Sequence, residues 1–142
     1  YDTYSPLQIL NYINTIAKDG VRYRLSLVKR NPEILNQVPL DSDSFKRIKE
    51  GFYQVVNGGT ANNYVAKKYQ AAGKTGTAQS YYAKDITTIN TTFAVFMPKD
   101  NPKYSLVIMN PNISIENAKV KYNAPLSRLI SKEITNYLFA NT

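Results

Sequence analysis

Apolar positions first recur at helical spacing, with Leu7, Leu10, Ile13 and Ala17 three or four residues apart. Ahead of them, Ser5-Pro6-Leu7-Gln8 places a capping serine before a proline at the first helical position and a glutamine at the third, the pattern of a capping box. Gly20, after Lys18-Asp19, supplies a left-handed stop, so the spacing predicts a helix from about 6 to 18. The period then shortens to two. Val21, Tyr23, Leu25 and Leu27 alternate with basic or polar residues and predict a half-buried strand from Val21 to Lys29. Pro32 and Pro39 break both periods, and residues 31–41 read as a connecting loop. In a second predicted helix Phe45, Ile48, Phe52, Val55 and Val56 share a face, Ser42 or Ser44 is placed to cap it, and Asn57-Gly58-Gly59 ends it. Residues 60–72 are polar and rich in Tyr and Ala, without a period that selects an element.

Three strands follow in the pattern, from about Gly73 to Tyr81, Thr91 to Met97 and Tyr104 to Asn110. The last two are joined by Pro98-Lys99-Asp100-Asn101-Pro102, a link short enough for an antiparallel hairpin. Leu126, Leu129, Ile130, Ile134, Tyr137 and Leu138 define a final amphipathic helix ending near Ala140. Strands and helices in this order predict an α+β fold, an antiparallel sheet with helices packed on it.

At 142 residues the chain is the size of one small domain, and its 43% hydrophobic and 20% charged residues are globular proportions. No apolar run approaches the ~20 residues needed to cross a bilayer, and no basic-then-apolar leader is visible. The absence of Cys and His excludes disulfides, thiolate or imidazole metal sites, a Ser-His-Asp triad and a cysteine nucleophile. Catalysis by such a chain runs on Ser, Lys, Tyr or carboxylates, with neither a metal nor a cofactor expected. The formal charge of +8 raises a polyanion-binding reading, but each half carries +4 and the longest basic runs are dipeptides such as Lys29-Arg30 and Lys67-Lys68. That distribution describes a solvated basic surface rather than a nucleic-acid footprint.

The segment Ala71-Ala72-Gly73-Lys74-Thr75-Gly76-Thr77-Ala78-Gln79 carries the chemistry. Glycine inside a strand costs stability unless another backbone or a ligand comes close. Lys74 adds a fixed positive charge, Thr75 and Thr77 add hydroxyls, and the strand itself adds amides. A sheet edge so equipped can hold an extended peptide that bears a carboxylate.

With its Ala-Gly prefix, Lys74-Thr75-Gly76-Thr77-Ala78-Gln79 resembles the third active-site motif of the penicillin-binding proteins. Other segments are similar to the same family in the same order. Tyr1-Asp2-Thr3-Tyr4-Ser5-Pro6-Leu7-Gln8-Ile9 resembles the opening of a long helix in class B transpeptidases, and Ala17-Lys18-Asp19-Gly20 its end. Gly51-Phe52 through Val55-Val56, then Gly59-Thr60-Ala61, resemble a glycine-bulky-x-x-Val-Val helix and a Gly-Thr-Ala segment. Phe93-Ala94-Val95-Phe96, Pro98 and Asp100-Asn101-Pro102 match the strand and turn after the third motif. The resemblance covers nearly the whole chain and is closest in flavour to the Gram-positive class B enzymes; Gly-Thr-Ala and the opening helix favour a wall-building enzyme over a β-lactamase.

The resemblance implies catalytic roles for Lys74, in the proton network around the serines, and for Thr77, whose amide would be one oxyanion-hole donor. It implies substrate-binding roles for Thr75, Gly76, Thr77 and Gln79. The implied partners are a peptidoglycan stem peptide ending in D-Ala-D-Ala, β-lactams and the upstream part of the same domain, at the outer face of the cytoplasmic membrane through an anchor not present in this chain. Nucleic acid is not implied.

The family's acylating Ser-x-x-Lys and its Ser-x-Asn both precede the third motif. Here the single Ser-x-x-Lys, Ser26-Leu27-Val28-Lys29, falls on the predicted strand, where Ser26 and Lys29 would point to opposite faces. Tyr12-Ile13-Asn14 mimics the second motif but lies in the first predicted helix, and Ser-x-Asn is absent. The expectation is therefore the C-terminal portion of one transpeptidase domain, without its nucleophile. The alternatives are a non-catalytic binding module on the same fold and, less favoured, a polyanion-binding domain.

Overall fold

A computed structural model describes residues 4–84, 86–115 and 126–140. Helix α1 spans Pro6–Ala17 and starts with the expected box: the Gln8 amide donates to Ser5 Oγ, and the Ser5 amide donates to Gln8 Oε1 at 2.8 Å. Its stop is spread over two residues, Asp19 at φ +52° and Gly20 at φ +90°, and the Gly20 amide donates back to the Thr15 carbonyl. A Cβ on Gly20 would stand 2.6 Å from the Phe45 ring, so this position needs glycine for space as well as for its torsion. The buried apolar residues are Ile13, Ile16 and Ala17; Leu7, expected inside, is 58% exposed. The sheet residues Ala72, Ala94 and Phe96 pack with Ile13, Ile16 and Ala17 and, at its edge, with Ile9 and Leu10, a cluster that leaves Leu7 out.

The strand expected over Val21–Lys29 is shorter. Strand β1 is Val21–Tyr23, and it pairs antiparallel with β2, Ile34–Gln37, inside the segment expected to be a loop. Both corrections have local causes. Ser26 Oγ accepts the Val28 amide and donates to the Val28 carbonyl, a serine turn that competes with the ladder. Pro32 and Pro39 flank β2 instead of interrupting it, leaving four residues free to pair.

Helix α2 spans Ser42–Asn57. Its cap is Asp41, one position before the nearer of the two expected serines, Ser42 and Ser44. Asp41 has extended torsions and accepts both the Ser44 amide at 2.8 Å and the Ser44 hydroxyl at 2.7 Å. Those two bonds hold the Asp41 carboxyl below its ordinary value. Phe45, Lys49 and Val56 are buried on this helix, and Lys49 Nζ pairs with Asp19 Oδ1 at 2.7 Å, tying α2 to the end of α1.

Residues 58–71 turn through a short 3-10 segment, Lys67–Tyr69, and place Ala61, Val65 and Ala71 in the core. Three strands follow, each longer than expected: β3 Ala72–Ala83, β4 Ile86–Met97 and β5 Tyr104–Ile115. They form one antiparallel sheet in the order β3-β4-β5, with β3 at an edge. One sheet face, through Ala72, Ala94 and Phe96, packs on α1 and on Ile48 and Phe52 of α2. The other, through Phe93, Val95 and Met97, packs on Val56, Ala61, Val65 and Ala71.

Helix α3, Leu126–Ala140, closes this second face with only part of the side expected, Leu126, Ile134 and Leu138 being half-buried. Its buried residues are Ser127, Ser131 and Thr135, while Leu129 is 53% and Tyr137 is 71% exposed. Their hydroxyls are satisfied by carbonyls, Ser131 Oγ donating across to Tyr64 O at 2.7 Å and Thr135 Oγ1 one turn back to Ser131 O at 2.8 Å. Small side chains four apart with their polar atoms satisfied make a flat seam that can approach the core. Phe139 supplies the apolar anchor, stacking on Tyr69 with centroids 4.2 Å apart.

Candidate active site

Pairing with β4 fixes the site's geometry. Lys74 lies opposite Ala94 and Gly76 opposite Thr92, whereas Thr75, Thr77 and Gln79 lie opposite Phe93, Thr91 and Ile89. Directly paired residues share a face and successive residues alternate. Lys74 and Gly76 therefore belong to the α1 side of the sheet, and Thr75, Thr77 and Gln79 to the α3 side. The five candidates are brought together by the edge rather than by one face: β3 has a single partner, so half of its amides and carbonyls look away from β4.

Gly73 holds this strand close to its neighbour. A Cβ there would collide with the Ala94 carbonyl and come within 2.9 Å of Val95 Cα. At Gly76 a Cβ would meet only Thr92 Cβ, at 3.7 Å, an ordinary contact. The two glycines thus differ: the sheet has no room for a side chain at Gly73 and has room for a methyl group at Gly76.

On the Lys74 side lies an open cleft of about 850 Å³, with Ile9, Ile13, Phe52 and Ala94 as apolar wall and Lys74, Thr75 and Gly76 along one border. Lys74 is exposed, and its Nζ donates to the Thr75 carbonyl at 2.8 Å, which keeps the ammonium near the edge. Arg22 of β1 borders the same cleft, and no carboxylate lines it among the described residues. Two cations with no facing acid favour an anionic ligand. Sequence reasoning missed Arg22, whose only signal was its polar position in the alternating stretch.

On the other side, Thr75 Oγ1 lies 3.0 Å from Thr60 Oγ1. Thr77 is exposed beside a polar row: Asn110 Nδ2 donates to Thr91 Oγ1 at 3.2 Å and to Ser127 Oγ at 2.8 Å. Gln79 is exposed further along the strand.

Neither motif mimic assembles a site. Ser26 is exposed in its own turn rather than on a strand, with its hydroxyl engaged by Val28. Tyr12 borders the Lys74 cleft, while Asn14 borders a separate, smaller cavity near Phe96 and Pro102. Of the nine-residue opening segment, Tyr1, Asp2 and Thr3 lie outside the described residues. No group of three potential ligands that could hold a metal occurs among the described residues.

The fold and site define a class of α+β domains in which a lysine- and glycine-bearing edge strand borders a cationic cleft. Comparison with known proteins narrows that class. Residues 2–134 match the model of the penicillin binding protein transpeptidase domain. Penicillin-binding protein 2A of Bacillus subtilis is 36% identical, over 78% of this chain and 19% of its own length. Penicillin-binding protein 2B of Streptococcus pneumoniae is 28% identical, over 79% of this chain and 20% of its own. The solved structure of penicillin-binding protein 2B from Streptococcus pneumoniae strain R6 superposes with a TM-score of 0.77 at 25% identity, covering 99% of this chain and 25% of that one. That of PBPA from Mycobacterium tuberculosis gives 0.71 at 16% identity, covering 95% and 32%, a likeness of fold. The chain belongs to the penicillin-binding protein transpeptidase family, of the class B type. It spans about a fifth of the length of the curated relatives it matches.

Proposed function

We propose that this chain is the C-terminal portion of a peptidoglycan D,D-transpeptidase domain, supplying the substrate-binding edge strand while the acylating serine lies upstream of Tyr1. The observation that supports this reading best is the Lys74 cleft: a lysine borders an apolar-walled opening with no serine among its lining residues. An upstream helix bearing Ser-x-x-Lys, seated on Ile9, Ile13 and Phe52, would bring its serine to the β3 edge.

In this reading the stem peptide lies along β3, its terminal carboxylate held by the hydroxyls of Thr75 and Thr77 and by the charge of Lys74. Gly76 leaves room for the acyl donor, and Gln79 extends the binding strand. The upstream serine oxygen attacks the penultimate D-Ala carbonyl, and the Thr77 amide stabilises the resulting oxyanion, a donor worth on the order of 3 kcal/mol in comparable chemistry. The serine proton passes through the lysine-serine network, to which Lys74 contributes, onto the departing D-Ala amine. An amine of a neighbouring stem peptide then attacks the acyl-enzyme, forming the cross-link and returning a proton to the serine. A β-lactam follows the first half of this course, its ring opening in place of a departing group. The protein would work at the outer face of the cytoplasmic membrane through an anchor elsewhere in its sequence; no helix among the described residues is long and apolar enough to cross a membrane.

The test uses the protein with its upstream sequence. Lys74→Ala should slow acylation by a labelled penicillin about 100-fold while leaving the thermal midpoint unchanged. A wild-type rate in that variant counts against the role of Lys74. A protein that binds stem peptide without any adduct, and whose upstream sequence holds neither motif, would be the non-catalytic module instead.

A further inference from the structure

Thr60 lies outside β3 and yet reaches its ligand-binding segment. Its Oγ1 is 3.0 Å from Thr75 Oγ1, a hydroxyl-to-hydroxyl bond between residues fifteen positions apart. The turn carrying Thr60 is fixed on both sides: the Gly59 amide donates to Gln54 O at 2.9 Å and the Ala61 amide to Val55 O at 3.0 Å, with Ala61 fully buried in the core. Asn57 Nδ2 bridges Tyr53 O and Ala71 O, so the end of α2 and the start of β3 are clamped together. Thr60 itself is exposed, so the bond to Thr75 is not needed to satisfy a buried polar group.

The chemistry of the pair sets its direction. A carboxylate accepts hydrogen bonds and donates none, and a threonine hydroxyl has one proton and two lone pairs. If Thr75 gives its proton to Thr60, it has nothing left to offer a carboxylate. If Thr60 donates instead, Thr75 keeps a free proton, polarised by the bond it accepts. We propose that Thr60 is a positioning residue whose hydroxyl donates to Thr75 Oγ1 and so turns the Thr75 proton toward the ligand's carboxylate. This rests on the reading above, in which Thr75 holds that carboxylate.

The experiment compares acylation rates of the protein with its upstream sequence by benzylpenicillin and by its methyl ester, for wild type, Thr60→Val and Thr60→Ser. Thr60→Val should be about 10-fold slower with the acid and within about twofold of wild type with the ester, and Thr60→Ser should stay within about twofold with both. The acid-to-ester ratio is internal to each variant and remains readable even if Thr60→Val lowers the melting temperature. A wild-type ratio in Thr60→Val, from no loss or from equal losses on both probes, overturns the inference. Failure of the wild type to react with either probe overturns the underlying acyl-transfer reading and the inference with it.

Discussion

Gly73 and Gly76 stand three positions apart on one strand, and substitution separates their roles. Gly73→Ala pushes a methyl group into the Ala94 carbonyl and Val95 backbone, so it should destabilise the fold by about 2–3 kcal/mol in denaturant unfolding. Gly76→Ala makes only an ordinary 3.7 Å contact with Thr92 Cβ and should leave the melting temperature near wild type. It adds bulk where an acyl donor would lie, so penicillin acylation should fall about 10-fold. Equal effects of the two substitutions on stability would show that Gly76 also serves the packing of the sheet. The Lys-Thr-Gly signature was legible in the sequence, as was the capping box at Ser5, because both depend on neighbours in the chain. The Thr60 bond was not legible, since the contact depends on how the turn after α2 folds back onto β3.

At the scale of elements, the hydrophobic period located all three α-helices among the described residues, but it gave no sign of the 3-10 turn at Lys67–Tyr69 and only part of the side of α3 that is buried. Leu129, Ile130 and Tyr137 outweigh Ser127, Ser131 and Thr135 on any apolar count, yet close approach and satisfied hydroxyls select the smaller side chains. The hairpin of β1 and β2 was half hidden for a different reason. The Ser26 turn and the flanking prolines changed the local signal, while the Arg24 amide bond to Glu33 O and the Arg24–Glu33 ion pair at 2.7 Å sustain pairing beyond the strands themselves. A second tie, Lys99 Nζ to Glu50 Oε2 at 2.9 Å, joins α2 to the turn after β4. The bond from Lys99 holds the Glu50 carboxyl below its ordinary value, and the same bond raises Lys99 above its own. A depressed carboxyl contributes stability above its unfolded pKa and loses it as pH falls through the folded value. Wild type should therefore melt slightly above Glu50→Gln at pH 7, and the difference should shrink below about pH 4. A difference that persists at low pH would assign the effect to packing instead of charge.

Across the whole molecule, two hydrophobic clusters lie on the two faces of the sheet, and the cleft beside Lys74 is walled by Ile9, Ile13, Phe52 and Ala94 of the cluster on the α1 side. Of the cations behind the +8 charge, Lys74 and Arg22 border this one opening, which no acid lines among the described residues. An upstream nucleophile would complete both the packing and the chemistry of that opening, and this is the central claim. Its most direct test is to treat the protein, upstream sequence included, with a labelled penicillin and map the adduct by peptide mass spectrometry. The account predicts one stoichiometric adduct, on a serine preceding Tyr1 within Ser-x-x-Lys. An adduct on Ser26, or on any other serine from Tyr1 onward, would contradict it.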